Sequence, residues 1–143
     1  MSSAVLHSPY SKKRVRFAIS LFYFGQGIVF ASWASRIPDL KSILNLSDAA
    51  LGSVLLALPI GQLVTMPISG RLTTRYGSRR MLTLAAPLYA LALTVLALAT
   101  AGWQLAVFLF LLGVSGNLCN ISLNTQGVAG ETYYGKPIMT SFH

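Results

Sequence analysis

The sequence predicts an all-α membrane protein built from four transmembrane helices, and three observations predict it. Only 10% of the 143 residues are charged, 54% are apolar and the mean hydropathy is +0.62, whereas a soluble domain carries roughly 25% charged residues. The charges leave residues 17–35, 49–70 and 81–130 empty, stretches of 19, 22 and 50 residues. A helix needs about 20 residues to cross the hydrocarbon core of a bilayer. Eleven Lys+Arg against three Asp+Glu give a net charge of +8. The positive charges sit in short clusters between the empty stretches, a pattern that orients a chain in a membrane instead of binding nucleic acid.

The first span is expected at 16–36. Its basic start and its small residues Ala31, Ser32, Ala34 and Ser35 resemble a secretory signal, but the apolar run exceeds the roughly 7–15 residues of such a segment. After Pro38, the residues Leu40, Ile43 and Leu44 fall at helical spacing with Lys41 and Asn45 on other faces, which predicts one or two interfacial turns. Ser47 and Asp48 suit the start of a second helix, 49–70, where a side-chain oxygen and a negative charge meet the positive end of the dipole. Fifty uncharged residues exceed one span, so two helices, 80–101 and 104–128, share them. The break is expected at Thr100-Ala101-Gly102-Trp103-Gln104, with Gly102 supplying the turn and Trp103 lying at the interface. Pro59, Pro67 and Pro87 predict kinks that a membrane bundle tolerates.

Basic residues are retained on the cytoplasmic face. Lys12, Lys13, Arg14, Arg16, Arg71, Arg75, Arg79, Arg80 and Lys136 share one side, while the other holds Arg36 and Lys41 beside Asp39 and Asp48. The expected organisation is a cytoplasmic tail 1–15, a transmembrane region 16–128 in the lipid bilayer, and a cytoplasmic segment 129–143. Asn45-Leu46-Ser47 matches the glycosylation tripeptide but lies against the membrane. Cys119 stands alone, His7 and His143 lack metal-like neighbours, and neither a phosphate loop nor a nucleophile motif occurs. The sequence therefore predicts no enzyme, no cofactor and no metal.

Polar residues inside spans are costly unless paired or facing a wet cavity. Gln26 lies in the first span; Asn117, Asn120 and Asn124 lie in the fourth, at spacings of three and four that place them on one face. Two roles stay open for this stripe: hydrogen bonds between helices, or the lining of a path for a small polar solute. Gly25, Gly27, Ala31, Ser32, Gly52, Gly61, Gly113 and Gly116 are expected to permit close helix contact. Tyr23, Phe24 and Tyr89 are expected to fill the bundle or face lipid.

The connection Gly70-Arg71-Leu72-Thr73-Thr74-Arg75-Tyr76-Gly77-Ser78-Arg79-Arg80 predicts a tight basic loop, its two glycines allowing close packing and a sharp reversal. Gly70, Leu72, Arg75, Gly77, Arg79 and Arg80 resemble the signature loop of the major facilitator superfamily, roughly G-x-L-x-D-R-x-G-R-R, between that family's second and third helices. Thr74 stands where the family usually has Asp, and Ser78 where it usually has Arg. Gly25-Gln26-Gly27, the run from Ala31 to Pro38 and the run from Leu46 to Gly52 are similar to the fucose permease-like branch, and to its YbjJ-type members.

The resemblance implies helices one to four of an N-terminal six-helix bundle, in a bacterial inner membrane, with both termini cytoplasmic. It implies a transporter that moves a small polar solute, sugar-like by its branch, through alternating access. On this view the chain is a truncated part, inactive alone, whose partners are the solute and the missing C-terminal helices. Asn120 stands where the branch often carries a Glu, and Ala34 where its sugar–proton symporters have an acid. No carboxylate falls within the four spans, and an amide does not carry protons. The alternative is a self-contained four-helix membrane protein, a small dimeric exporter or a structural subunit.

Overall fold

The computed structural model describes residues 11–135, so the first ten residues, Lys136 and the rest of the expected C-terminal segment, and both histidines, lie outside the described residues. The architecture is all-α. Helix α1 (Lys12–Ser35) continues across Arg36 into α2 (Ile37–Ile43); α3 (Asp48–Leu55) continues across Leu56 into α4 (Ala57–Tyr76). Then come α5 (Ser78–Leu96) and α6 (Gly102–Tyr134). Four helical stretches are long and apolar enough to cross a membrane: Lys12–Ile43, Asp48–Tyr76, Ser78–Leu96 and Gly102–Tyr133.

Four helix ends lie four or more residues from the limits that the charges suggest, and the other ends fall within two. The first helix starts at Lys12 because Ser11 caps it, its hydroxyl accepting from the Arg14 N–H at 3.4 Å. α4 runs to Tyr76, past residue 70, and α5 resumes at Ser78, so the expected loop shrinks to Gly77 alone, at φ 86° and ψ 138°. α5 stops at Leu96, short of residue 101, in three-residue turns from Ala97, Leu98 and Ala99 back to Thr94, Val95 and Leu96. α6 passes residue 128 and ends where Gly135 adopts a left-handed conformation and donates to the Glu131 carbonyl at 2.8 Å. Charge marks where the hydrocarbon ends, whereas capping and turn residues mark where the helix ends, and these are different places.

The first connection is built as expected at Ser47, whose hydroxyl accepts from the Ala50 N–H at 3.2 Å. Asp48 pairs with Lys41. Asn45 takes φ 50°, and the N–H groups of Leu46 and Asn45 reach back to the carbonyls of Lys41 and Ser42. That pattern is a Schellman motif closing α2, with Asn in the left-handed position. Leu40 is buried and Ile43 is exposed, so these two residues do not share a buried face. Of the three prolines expected to kink, Pro59 follows the α3–α4 break by three residues, while Pro67 and Pro87 lie inside unbroken helices.

α6 is the hub, since 44% of its apolar window is buried against 6% for the α3–α4 stretch. It supplies both core clusters. One joins Trp33, Leu40, Tyr89, Leu96 and Ala99 to Leu105, Leu109 and Leu112; the other joins Ile19, Tyr23, Leu82 and Ala85 to Cys119 and Leu123. The outward faces of α1, α4 and α5 carry Phe17, Leu21, Phe24, Ile60, Val64, Leu84 and Leu88 exposed.

Candidate functional site

The polar side chains of α6 divide between two seams. Against α4, Asn117 donates from Nδ2 to the hydroxyls of Thr65 and Ser69 at 3.4 Å each, and Thr73 and Ser122 share a buried 3.3 Å hydrogen bond. Gln126 donates to Ser78, the first residue of α5, at 2.6 Å. The hydroxyl partners on α4 recur every four residues, at Thr65, Ser69 and Thr73, in line with Gly61. A Cβ on Gly61 would sit 2.4 Å from the Phe110 carbonyl oxygen, and one on Gly113 would sit 2.2 Å from that of Leu58. The two backbones touch here, which lets these short hydroxyl side chains reach across.

Against α1, the Tyr23 hydroxyl donates to Asn124 Oδ1 at 2.6 Å, and Asn124 Nδ2 donates to Asn120 Oδ1 at 3.4 Å. Asn120 itself is exposed on the side of α6. Along this seam the contacts Lys12 with the Tyr133 ring, Ile19 with Gly130, and Tyr23 with Asn124 run antiparallel. Gln26 lies one turn beyond Tyr23 and has no hydrogen-bond partner among the described residues. It lines a groove of about 280 Å³ with Gly25, Ala86, Tyr89 and Cys119, the residue before Asn120.

The four amides are thus not one cluster. Asn120 and Asn124 are joined, Asn117 is engaged on α4, and Gln26 lies in the α1–α5 groove. Sequence reasoning took Tyr23 for bundle filler or lipid contact and missed its bond to Asn124. It also missed the ladder Gly61, Thr65, Ser69, Thr73, although the four-residue repeat is visible in the chain. Trp33 was missed as well: its indole N–H is buried and has no partner among the described residues.

The signature residues occupy the end of the bundle around Gly77. Gly70, Leu72 and Arg75 lie on the last turns of α4, and Arg79 and Arg80 on the first turn of α5. Gly77 makes the sharp reversal, in a positive-φ conformation that favours glycine. Gly70 does not serve close packing, because a Cβ there would meet nothing within 4 Å. Thr74 turns its hydroxyl onto its own helix, to the carbonyls of Gly70 and Arg71 at 3.1 and 3.0 Å.

Residues 16–126 match the family model of the Major Facilitator Superfamily. The chain is 33% identical over 123 residues to an uncharacterised MFS-type transporter of Yersinia pestis, covering 86% of this chain and 32% of that protein. It is 33% identical over 117 residues to an uncharacterised transporter of Sinorhizobium fredii, covering 82% and 31%, and 30% identical over 138 residues to the membrane protein MosC of Rhizobium meliloti, covering 96% and 34%. The chain therefore spans about a third of the length of these relatives. No solved structure matches it. The chain belongs to the major facilitator superfamily, and is a multi-pass integral membrane protein of a transporter family, not an enzyme.

Proposed function

We propose that these helices are the N-terminal part of a transporter that moves a small polar solute by alternating access, rocking against helices beyond this chain. The solute is sugar-like on the resemblance to the fucose permease-like branch. The membrane is the bacterial inner membrane, and the arginine-bearing end around Gly77 faces the cytoplasm with both termini, by the asymmetry of basic residues. The organisation expected from the charges, a tail, a membrane region and a trailing segment, is part of the same proposal.

One observation carries the solute path: an amide pair, Asn124 and Asn120, is anchored by Tyr23 at one end and open at the other. A pre-oriented amide at the exposed face of a membrane helix offers a donor and an acceptor to a hydroxylated solute. Gln26, one turn along α1 and unpartnered, supplies a second amide. Asn117, bonded to Thr65 and Ser69, braces the wall of the path. The signature residues Gly70, Leu72, Arg75, Gly77, Arg79 and Arg80 form the cytoplasmic turn between the second and third membrane helices.

The test is solute uptake into proteoliposomes by a full-length protein carrying these helices, beside the 143-residue chain alone, across a panel of sugars and cationic drugs. Saturable uptake of a sugar by the full-length protein, weakened in Asn120→Ala and absent with the short chain, is the expected result. Saturable uptake by the short chain alone overturns the proposal in favour of a self-contained four-helix carrier.

A further inference from the structure

Tyr23, Asn124 and Asn120 form a chain of hydrogen bonds with a closed end and an open end. Tyr23 is buried at the α1–α6 seam, where a Cβ on Gly130 would sit 2.9 Å from Ile19 Cδ1, so the helices run close enough for the phenol to reach α6. Its hydroxyl donates to Asn124 Oδ1 at 2.6 Å, and Asn124 Nδ2 donates to Asn120 Oδ1 at 3.4 Å. Asn120 stands one turn further along, near the middle of Gly102–Tyr134, and is exposed.

The chain has a direction, and the closed end sets it. A phenol carries a single proton, and a buried donor without an acceptor bears its full desolvation cost. Asn124 Oδ1 takes that proton. An amide holds its oxygen and nitrogen on opposite sides of one carbon, so turning the oxygen to Tyr23 sends the nitrogen to Asn120. Asn120 then turns its own oxygen inward, and its Nδ2, which has no partner among the described residues, outward. Every atom that fixes this direction lies within the seam. The direction therefore does not depend on what stands beyond the open face.

We propose that Tyr23 and Asn124 are positioning residues that make Asn120 a hydrogen-bond donor to the solute, so that the solute meets it with an acceptor oxygen. The inference rests on the solute path proposed above and names the group that the path selects. Of the two functions that an amide offers, the relay leaves the donor foremost. An oxygen with free lone pairs, in a hydroxyl, ether or carbonyl, fits this end; a group that only donates, such as an ammonium, does not.

The experiment is uptake by the full-length protein in proteoliposomes, with D-glucose, D-galactose and L-fucose as probes beside their monodeoxy and monodeoxyfluoro derivatives. Fluorine accepts weakly and never donates, whereas deoxygenation removes both functions. The hydroxyl that meets Asn120 is the one whose removal weakens uptake by the wild type but not by Asn120→Ala. At that position the wild type is expected to lose about fivefold in apparent affinity for the deoxy derivative, one hydrogen bond's worth, and less for the fluoro derivative. The isosteric Asn120→Asp turns an acceptor outward, so the order inverts and the fluoro derivative falls below the deoxy one. Tyr23→Phe frees the closed end, and the gap between the two derivatives shrinks. Either variant decides where the other does not assemble. Equal losses for the two derivatives in the wild type, or an unchanged order in Asn120→Asp and an unchanged gap in Tyr23→Phe, overturn the inference alone. Uptake of none of the three sugars, or undiminished uptake of all by Asn120→Ala, overturns the solute path and takes the inference with it.

Discussion

The hydroxyl of Tyr23 and the amide oxygen of Asn124 meet at 2.6 Å across 101 residues of chain, and this hydrogen bond joins α1 to α6. Contact between these helices is sparse compared with the tight α4–α6 seam, so a single polar bond carries weight in setting their register.

Removing that bond is expected to loosen α1. Tyr23→Phe and Asn124→Ala should each lower stability in detergent by about 0.6–1.5 kcal/mol, the range for membrane and buried hydrogen bonds. The double variant should lose less than the sum. Thermal melting of all four proteins checks this, and strictly additive losses would show that the two side chains do not depend on each other.

The glycines of the bundle should split into two classes. A methyl group at Gly113 meets the Leu58 backbone at 2.2 Å, while one at Gly70 meets nothing within 4 Å. Gly113→Ala is expected to force α4 and α6 apart and cost about 1–3 kcal/mol or more. Gly70→Ala should be neutral or gain up to about 1 kcal/mol, because alanine favours a helix interior. The yield of monodisperse protein and its melting temperature separate the two.

Gly77 tests conformation without sterics. Its surroundings are open, yet its φ is +86°, so Gly77→Ala should cost about 1–3 kcal/mol through backbone strain alone. Gly77→Asn should cost about as much as the alanine variant, because ψ 138° lies outside the left-handed region that Asn tolerates. Either variant melting like the wild type would mean that the turn does not depend on its dihedral angles.

Trp33 offers the reverse case, a donor whose removal should help. Its indole N–H is buried without a partner among the described residues, and an unmet buried donor costs about 1–3 kcal/mol. Trp33→Phe removes that cost but sheds part of the ring's buried area, so the two effects should nearly cancel in a melting experiment. A loss well above about 1 kcal/mol would reveal a partner for the N–H, either water or a bound solute.

How much of the site was legible depends on the kind of residue. The Asn stripe stood out because three amides in an apolar run are conspicuous, but the single face that periodicity implies divides in the fold, Asn117 meeting α4 and Asn124 meeting α1. Which amide was already bonded did not: Asn117 is engaged because Gly61 and Gly113 bring α4 close enough for Thr65 and Ser69 to reach it. Tyr23 went unnoticed since a tyrosine in a membrane helix is ordinary until its hydroxyl has a named acceptor. The arginines at 71–80 were read for orientation, and their lack of a carboxylate partner among the described residues emerged only from the folded chain.

Composition and charge spacing by themselves determined that this chain crosses the membrane and that two helices share the longest uncharged stretch, because a bilayer admits no unpaired charge and no span much beyond its own thickness. Residue types also marked the cap at Ser47 and the reversal at Gly77, since both are local requirements of the backbone. The tertiary structure alone decided that α6 is the hub, that the signature connection is two helix ends around one glycine, and which polar groups are bonded and which are open. Those outcomes depend on how closely two backbones approach, and that distance is a property of a pair of helices which neither carries in its own sequence.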